Sequence, residues 1–458
     1  MNDPFDCRCP HSGFSQRAFD LAKLSLGRRA FIAGAAATAA SALIPWRARA
    51  AAGDVTVLKS ARLFDGVTMH MPGLLVIKGD RIVSMNAGDA GVDAHVIDLG
   101  DATLMPGLID CHTHVAPFIV ASHYLVQPGR TADNVGEAAI YGMHNAQKML
   151  ANGFTTVRDV GGGWGVDLAV RDAINEGVYT GPQIFAAGPA LSITGGHGDT
   201  NDLPDFVTEE TTIETGVSYG PYGFREKVRE HVKRHTDLVK ILATGGVLSY
   251  GDVWDIPQMN LDEIQAVVDE STKFDRKVAA HCHGDKGISM AVEGGVHSVE
   301  HCTGVSETTL KNMQQRGTVL VPTIWALDSI LQPGNPMHIP PGSVQKAEYA
   351  ATVRNEGMQR AIASSVVIVY GTDAGVFPHQ ENNKDFALLV HMGMRPIDVL
   401  RSATSGGAEL IGVTDRGKLA PGKRADVVAF SGDPLRDISL MERAPALTLL
   451  GGKRVNLA

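Results

Sequence analysis

The sequence predicts an α/β protein: a (β/α)8 barrel of the TIM type with a small β-sandwich domain formed from both chain ends. Three observations lead to this prediction. The length of 458 residues suits a large barrel with an accessory domain. Short apolar runs alternate with helical patterns through the middle of the chain. Chemically unusual residues stand where those apolar runs end, which is where such barrels carry their functional groups.

The composition is that of an ordinary soluble globular protein. Hydrophobic residues make up 44% and charged residues 20% of the chain, so no disorder is expected. The net charge is -9, and Lys and Arg form no long run. Nucleic acid is therefore not expected as a partner.

The first fifty residues predict a cleaved twin-arginine export signal. Arg28 and Arg29 precede an apolar, Ala-rich segment at 31–43, and Ala-Arg-Ala follows at 48–50. The alternative is a membrane anchor, but this segment is too short to span about 30 Å of hydrocarbon as a helix. We expect cleavage after Ala50, the twin-arginine export machinery as a partner, a periplasmic mature protein, and no stable membrane insertion.

The cysteines do not predict a disulfide framework. Of the five, Cys7 and Cys9 lie in the export signal, which leaves Cys111, Cys282 and Cys302.

The chain ends predict one accessory domain. Short β-type runs at 55–58, 74–77 and 81–83 are separated by Gly and Asn turns, and similar runs recur at 425–430 and 447–450. We expect residues 54–103 and 415–458 to form the β-sandwich domain, and residues 104–414 to form the barrel.

Eight barrel strands are predicted between these ends. They end near His114, Asp159, Ala187, Leu242, His281, His301, Pro322 and Asp373. Helices are expected after most of them, for example at 134–151, 223–235 and 261–274.

The first strand end carries two histidines at alternating positions. Asp110, His112 and His114 alternate along an extended segment, so all three side chains point to one face. Two imidazoles on one face can hold a metal ion. The alternative, two polar residues satisfied within a turn, stays open for this segment taken alone.

Later strand ends supply further candidate ligands. His281 and His283 repeat the alternation, and His301 closes the next strand. Asp373 ends a very apolar run, where a buried carboxylate without a partner would be costly. A metal ion would stabilise that carboxylate, so these strand ends together predict a metal site.

Lys240 interrupts an otherwise apolar strand at 237–242. A lysine that reaches solvent is the alternative, but this strand is expected between the histidine-bearing ones. Burial favours the neutral amine, which reacts with carbon dioxide to form a carbamate. A carbamate on Lys240 would bridge two cations.

Taken together, these ligand positions resemble the set of the amidohydrolase superfamily in its binuclear form with a carboxylated lysine. The resemblance covers roughly residues 54–450 and rests on Asp110, His112, His114, Lys240, His281, His301 and Asp373. Segments at 155–162, 192–198, 243–247 and 281–284 resemble the imidazolonepropionase-like branch. That branch includes Xaa-Pro and Xaa-Arg dipeptidase-carboxypeptidases and ochratoxinase-type enzymes. Cys282, Cys302 and Tyr250 depart from its usual residues, which leaves substrate choice open.

The resemblance implies two divalent metal ions, with zinc as the expected metal. One would be held by His112, His114, Lys240 and Asp373, and the other by Lys240, His281 and His301. A bridging hydroxide would attack the scissile carbonyl. Asp373 would act first as general base and then as general acid.

Further roles are expected around these ligands. Asp110 would lie behind them as a supporting residue. His197, His283 and Tyr250 would stabilise the oxyanion or hold a substrate carboxylate, with packing as the alternative. Arg158 would bind that carboxylate or, alternatively, pair with an acidic residue.

The expected reaction is hydrolysis of the amide bond of N-acyl or aminoacyl L-amino acids with a free carboxylate, ochratoxin A among them. One alternative keeps the metals but changes the substrate to a cyclic amide, lactone or phosphotriester. A second alternative is a non-catalytic periplasmic metal-binding protein. Formation of a homo-oligomer is left open.

Overall fold

The computed structural model describes residues 55–85, 87–89, 94–116, 135–199, 201, 216–334 and 339–457. These residues belong to one unit, which spans 54–458. The export signal predicted at 1–50 lies outside the described residues.

Strands from both chain ends form two sheets. The strands before the barrel are β1 (Val55–Ser60), β2 (Arg62–Phe64), β3 (Met69–His70), β4 (Gly73–Lys78), β5 (Arg81–Ser84), β6 (His95–Asp98) and β7 (Ala102–Pro106). One sheet has the order β5-β4-β1-β6. The other contains β3, β2 and β7, and it is completed by β17 (Val427–Ser431), β18 (Leu447–Leu450) and β19 (Lys453–Arg454).

The two chain ends meet at β7. This strand pairs antiparallel with β17, with Leu104 opposite Ala429, and parallel with β2. Apolar side chains of both sheets form one buried cluster that includes Leu58, Leu75 and Val427. Because β7 runs from Ala102 to Pro106, the sheet extends past the predicted boundary between residues 103 and 104.

Parallel strands fill the middle of the chain. They are β8 (Leu108–Thr113), β9 (Phe154–Asp159), β10 (Gln183–Ala186), β13 (Leu238–Leu242), β14 (Lys277–Cys282), β15 (Ser298–His301) and β16 (Val319–Val321). One sheet has the order β10-β9-β8 and another the order β13-β14-β15-β16. Strands β11 (Ser192–Ile193) and β12 (Val217–Ser218) pair in parallel as a separate two-stranded sheet.

Isolated bridges join the two parallel sheets. Leu191 bridges to Ile241, so the chain after β10 pairs with β13. The segment predicted as the eighth strand bridges β16 through Ile368 and β8 through Ala374. It forms bridges rather than a continuous ladder, and Asp373 at its end has a positive φ of 66° that departs from extended geometry. The central region is thus a mixed α/β structure with parallel strands, as the sequence predicts.

Helices alternate with the parallel strands along the chain and continue after the last of these strands. They are α1 (Val135–Ala151), α2 (Val166–Asn175), α3 (Gly220–Lys233), α4 (Leu261–Thr272), α5 (Asp285–Gly294), α6 (Glu307–Arg316), α7 (Ile324–Ile330), α8 (Pro341–Ala363), α9 (Asp385–His391), α10 (Pro396–Arg401) and α11 (Gly407–Ile411). The helix predicted at 223–235 begins three positions earlier, because Pro221 is well suited to a first helical turn. It also ends earlier, because His235 has a positive φ of 60°.

Two negative findings concern only the part of the chain that the structure describes. None of its helices combines the length and apolar character that crossing a membrane requires. Its cysteines, Cys111, Cys282 and Cys302, are free thiols and buried.

Candidate metal centre

The end of β8 brings His112 and His114 to one carboxylate. Nδ1 of His112 bonds to Glu300 at 2.8 Å, and its Nε2 lies 3.3 Å from Asp373 Oδ1. Nδ1 of His114 bonds to the carbonyl of Gly161 at 2.9 Å, and its Nε2 lies 3.1 Å from the same Oδ1. In each ring one nitrogen is held by the protein, and the other points to Asp373.

A second cluster contains His281, His283 and His301. Their candidate ligand atoms all lie within 4.8 Å of one another. Each ring is held through one nitrogen: His281 Nε2 by Gly245 O at 3.0 Å, His283 Nδ1 by Thr303 Oγ1 at 2.7 Å, and His301 Nδ1 by Thr323 Oγ1 at 2.7 Å. Burial lowers the pKa of His281 and of His301 well below the usual value. Both rings are therefore neutral, the form that binds a metal.

The two clusters are neighbours. The rings of His112 and His301 have centroids 4.9 Å apart, and both line one cavity of about 340 Å³ with Lys240. Lys240 is 2% exposed, and burial lowers its pKa to about 8. Lys240 lies on β13, opposite Ala279 of the strand that carries His281. The candidate ligands predicted from separate strand ends thus lie together.

Two of these residues have unusual backbone geometry. His301 and Asp373 both have a φ of 66°, a left-handed conformation that is rare for residues with a side chain. Such conformations cluster at functional sites, where the surrounding structure enforces them. Both residues line the cavity, so this conformation brings a candidate ligand side chain to it at each position.

Asp110 is buried near the histidines and does not line the cavity. Its carboxylate accepts hydrogen bonds from Thr372 Oγ1 at 2.7 Å, from Asn382 Nδ2 at 3.3 Å and from the backbone of His112 at 3.2 Å. Burial raises the pKa of Asp110 to about 7. Through its hydrogen bonds to His112 and Thr372, Asp110 ties the end of β8 to the segment that carries Asp373.

The prediction that Arg158 binds substrate is wrong. Arg158 is 4% exposed and forms an ion pair with Glu300 at 2.8 Å and 2.9 Å. The guanidinium also bonds to Ser298 Oγ and to the carbonyl of Cys111. Its donors are committed inside the protein, and it does not line the cavity. The alternative reading, pairing with an acidic residue, is the one that the structure supports.

Glu300 is the residue that sequence reasoning missed. It accepts a hydrogen bond from His112 and pairs with Arg158, and these contacts outweigh the effect of burial and lower its pKa to about 2. A charged residue inside a buried strand was the available signal, the same one that marked Lys240. Carboxylates that hold a ligating histidine in this way fix its tautomer and raise its basicity.

Tyr250 and His197 have different placements. Tyr250 is 58% exposed and does not line the cavity, so its predicted contact with substrate is not supported. His197 does line the cavity, with its ring stacked on that of His281 at 4.4 Å. His283 also lines the cavity and belongs to the second cluster.

The residues present fit a pair of divalent cations. Nε2 of His112 is buried and has no hydrogen-bond partner among the described residues, as expected of an atom that serves as a ligand. Burial by itself raises the pKa of Asp373, but His112 and His114 outweigh that effect and hold the pKa well below its usual range. An anion and several imidazoles, each oriented through its other nitrogen, form a donor set suited to zinc or a similar ion.

The amidohydrolase family model matches residues 103–455 of this chain. The chain belongs to the amidohydrolase family. Members of this family generally use divalent metal ions, and the two clusters supply residues that can bind them. The family predicted from the ligand pattern is therefore confirmed, and this amidohydrolase is a hydrolytic enzyme.

Individual relatives point to the same family. Ochratoxinase of Aspergillus niger is 28% identical over 423 residues, which cover 87% of this chain and 86% of the relative. A crystal structure of a Xaa-Pro dipeptidase with bound methionine in the active site is 33% identical, with a TM-score of 0.81, and covers 88% of this chain and 99% of that chain. Imidazolonepropionase of Deinococcus deserti is 23% identical over 405 residues, covering 82% of this chain and 88% of the relative.

Proposed function

We propose that this amidohydrolase uses two divalent metal ions to hydrolyse the amide bond of N-acyl or aminoacyl L-amino acids that carry a free carboxylate. The observation that carries the proposal is the pair of ligand clusters beside the buried Lys240 in one cavity. The relatives named as ochratoxinase and Xaa-Pro dipeptidase support a substrate of this class.

The metal ligands follow from the clusters. His112, His114 and Asp373 would hold one ion, and His281 and His301 the other. A carboxylated Lys240 would contribute to both. Burial makes the amine of Lys240 more readily neutral, and the neutral amine is the form that reacts with carbon dioxide. When bound, the ions would act as Lewis acids that lower the pKa of water and polarise a carbonyl oxygen.

Asp373 is the residue that we propose moves the proton. Its carboxylate is an anion at neutral pH, lines the cavity and can accept a proton from the attacking water. It would then give that proton to the leaving nitrogen, because an amine must be protonated to leave. His283, whose Nδ1 is held by the hydroxyl of Thr303, would donate from Nε2 to the carbonyl oxygen as negative charge develops there.

Arg354 is the candidate for binding the substrate carboxylate in place of Arg158. It is the one arginine among the described residues that line the cavity, and it is 4% exposed. Nη1 donates to the carbonyl of Ile324 at 2.9 Å and lies 2.9 Å from Asp328, while Nε and Nη2 bond to Asn355. One N–H of Nη2 makes no hydrogen bond to the described residues.

An apolar wall would hold the acyl group or side chain. It is formed by Leu242, Val247, Leu248, Ala326, Leu327, Ile330 and Val376. Burial of apolar substrate surface there would favour aromatic or aliphatic groups, at about 25 cal/mol for each Å² removed from water.

The proposal includes the architecture and the location of the enzyme. We take the eight parallel segments as one closed (β/α)8 barrel and the two sheets of the chain ends as a β-sandwich domain. The bridges of Leu191, Ile368 and Ala374 and the shared apolar cluster support this view. The sequence at 1–50 supports export by the twin-arginine route to the periplasm.

A substrate panel tests the reaction. The purified zinc-loaded enzyme is assayed against N-acyl amino acids and dipeptides varied at the C-terminal residue, with ochratoxin A included, and release of the free amino acid is measured. We expect the enzyme to cleave at least one group of substrates in the panel. A chelator should abolish this activity, and added zinc should restore it. Cleavage of a lactone or phosphotriester but of no panel member would contradict the proposal.

A further inference from the structure

A chain of hydrogen bonds connects helix α8 to the cavity through three side chains. Lys346 Nζ donates to Asp252 Oδ1 at 2.9 Å, and Ser249 Oγ donates to the same oxygen at 2.7 Å. Ser249 Oγ also lies 2.8 Å from Nδ1 of His197. The ring at the end of this chain is the one that stacks on His281.

The direction of each hydrogen bond follows from the chemistry of its groups. Asp252 is an anion, because its hydrogen bonds to Ser249 and Lys346 outweigh burial and hold its pKa below the usual value. A carboxylate only accepts, so the hydroxyl of Ser249 donates to it in preference to the carbonyl of Gly246 at 3.2 Å. The oxygen of Ser249 is then left to accept, and Nδ1 of His197 must carry the hydrogen.

The ring of His197 has little freedom to turn. The backbone of Gly246 passes so close that a Cβ there would lie 2.0 Å from Cε1 and 2.2 Å from Nδ1. The ring of His281 covers it at 4.4 Å with an interplanar angle of 29°. The backbone N–H of His197 is also fixed, at 2.8 Å from Gln258 Oε1. The orientation of the His197 ring is therefore set by packing as well as by the hydrogen bond to Ser249.

Lys346 and Asp252 fix the loop after β13 that carries Ser249. Lys346 Nζ also donates to the carbonyls of Ser249 at 2.8 Å and Gly246 at 3.2 Å. Asp252 Oδ2 accepts from the backbone of Gly246 at 3.0 Å and from Gln258 at 3.2 Å. The side chain of Asp252 is 5% exposed, so this ion pair is largely shielded from solvent. The loop after β13 is thus fastened to α8 by one ammonium group.

We propose that Asp252 and Lys346 are positioning residues that hold His197 with its hydrogen on Nδ1. Nε2 then presents a lone pair to the cavity and accepts a hydrogen bond from an N–H or O–H group of the substrate. This assignment rests on the proposed function in one respect only, the identity of the substrate group that donates a hydrogen bond to Nε2. It replaces the predicted role of His197 as an oxyanion donor, because a neutral ring with this tautomer has no hydrogen to donate at Nε2. Donation to the oxyanion is left to His283.

Nitrogen NMR of the zinc-loaded enzyme, labelled with ¹⁵N-histidine, tests the tautomer directly. The His197 signals are assigned by their loss in His197→Gln. We expect Nδ1 to be protonated and Nε2 to be unprotonated in the parent enzyme, and a shift toward the other tautomer in Ser249→Ala and Asp252→Asn. Lys273→Met is the matched control, because it removes a lysine–carboxylate pair with Glu270 at 2.7 Å that is remote from the cavity. Protonated Nε2 in the parent enzyme would overturn the assignment.

Kinetic measurements and metal analysis test whether the positioning of His197 contributes to catalysis. Asp252→Asn and Lys346→Met should lower kcat/KM by about 10- to 100-fold while the metal content stays at the parent value. Ser249→Thr, which keeps the hydroxyl, should restore both the tautomer and most of the rate that Ser249→Ala loses. Loss of a metal ion in His197→Gln would show that Nε2 is a ligand and would overturn the substrate contact. The tautomer does not depend on the substrate, so failure of the substrate panel alone would contradict only the proposed function.

Discussion

Glu300 accepts a hydrogen bond of 2.8 Å from Nδ1 of His112, although the two residues are 188 positions apart in the chain. The bond places the hydrogen of the imidazole on Nδ1 and leaves Nε2, which has no hydrogen-bond partner among the described residues, facing Asp373. Arg158 holds the same carboxylate from the other side. An ion pair inside the protein therefore sets the tautomer of a candidate metal ligand.

Replacing Glu300 with glutamine should weaken metal binding by about 10- to 100-fold, because His112 loses the anion that fixes its tautomer and raises its basicity. The change also leaves the guanidinium of Arg158 buried without a counter-charge, which should lower the free energy of unfolding by about 3–5 kcal/mol. Chelator competition measures the first effect and denaturant unfolding the second. Glu307→Gln, at an exposed position in the first turn of α6, is the control. Unchanged metal affinity in Glu300→Gln would contradict this role.

Reconstitution of the metal-free enzyme should depend on pH through Lys240. Burial lowers the pKa of Lys240 to about 8, so the neutral amine becomes more abundant as the pH rises toward and past that value. With zinc present and the concentration of dissolved carbon dioxide held the same at each pH, recovery of activity should be about tenfold faster at pH 9 than at pH 7. Lys240→Ala should not recover, whereas Lys227→Ala, which removes a lysine that is 8% exposed and does not line the cavity, should behave as the parent enzyme. Recovery that is independent of the carbon dioxide concentration would argue against the carbamate.

Arg354→Lys should raise the KM for substrates with a free carboxylate by about tenfold or more and leave kcat nearly unchanged. Lysine keeps the charge but loses the planar set of donors that matches a carboxylate. The measurement compares each acyl amino acid with its C-terminal amide, which should be insensitive to the change. Arg360→Lys is the control on the same helix, since Arg360 bonds to the carbonyl of Val305 and does not line the cavity. Equal effects on acid and amide substrates would rule out carboxylate binding by Arg354.

His283→Ala should lower kcat by about 10²- to 10³-fold, because the developing oxyanion loses a hydrogen-bond donor. The enzyme should still bind two metal ions, which elemental analysis of the purified variant will show. His283 belongs to the same cluster as His281 and His301, so this measurement separates two roles. A variant that holds only one ion would identify His283 as a ligand.

The sequence was sufficient to predict most of the site, because the relevant signals are local. Alternation along a strand puts His112 and His114 on one face, and a lone lysine in an apolar strand marks Lys240. Parallel strands bring their carboxyl ends to one edge, so the positions of His281, His301 and Asp373 along the chain implied their proximity. The same local signals predicted the ends of seven of the eight expected barrel strands and the bounds of three helices to within about three residues, but not the eighth strand, which forms isolated bridges.

The remaining features depend on contacts between residues that are far apart in the chain. Arg158 carries a charge that would suit a substrate carboxylate, and only the folded position of Glu300 shows that this charge is already neutralised. Tyr250 follows a residue of the cavity, but its side chain turns toward solvent. The link from Lys346 to His197 runs from α8 through the loop after β13 to the segment that follows β11. The sequence by itself determined which chemical groups this enzyme brings to its strand ends; the tertiary structure decided which of them are free to act, because hydrogen-bond partners are assigned by proximity in space.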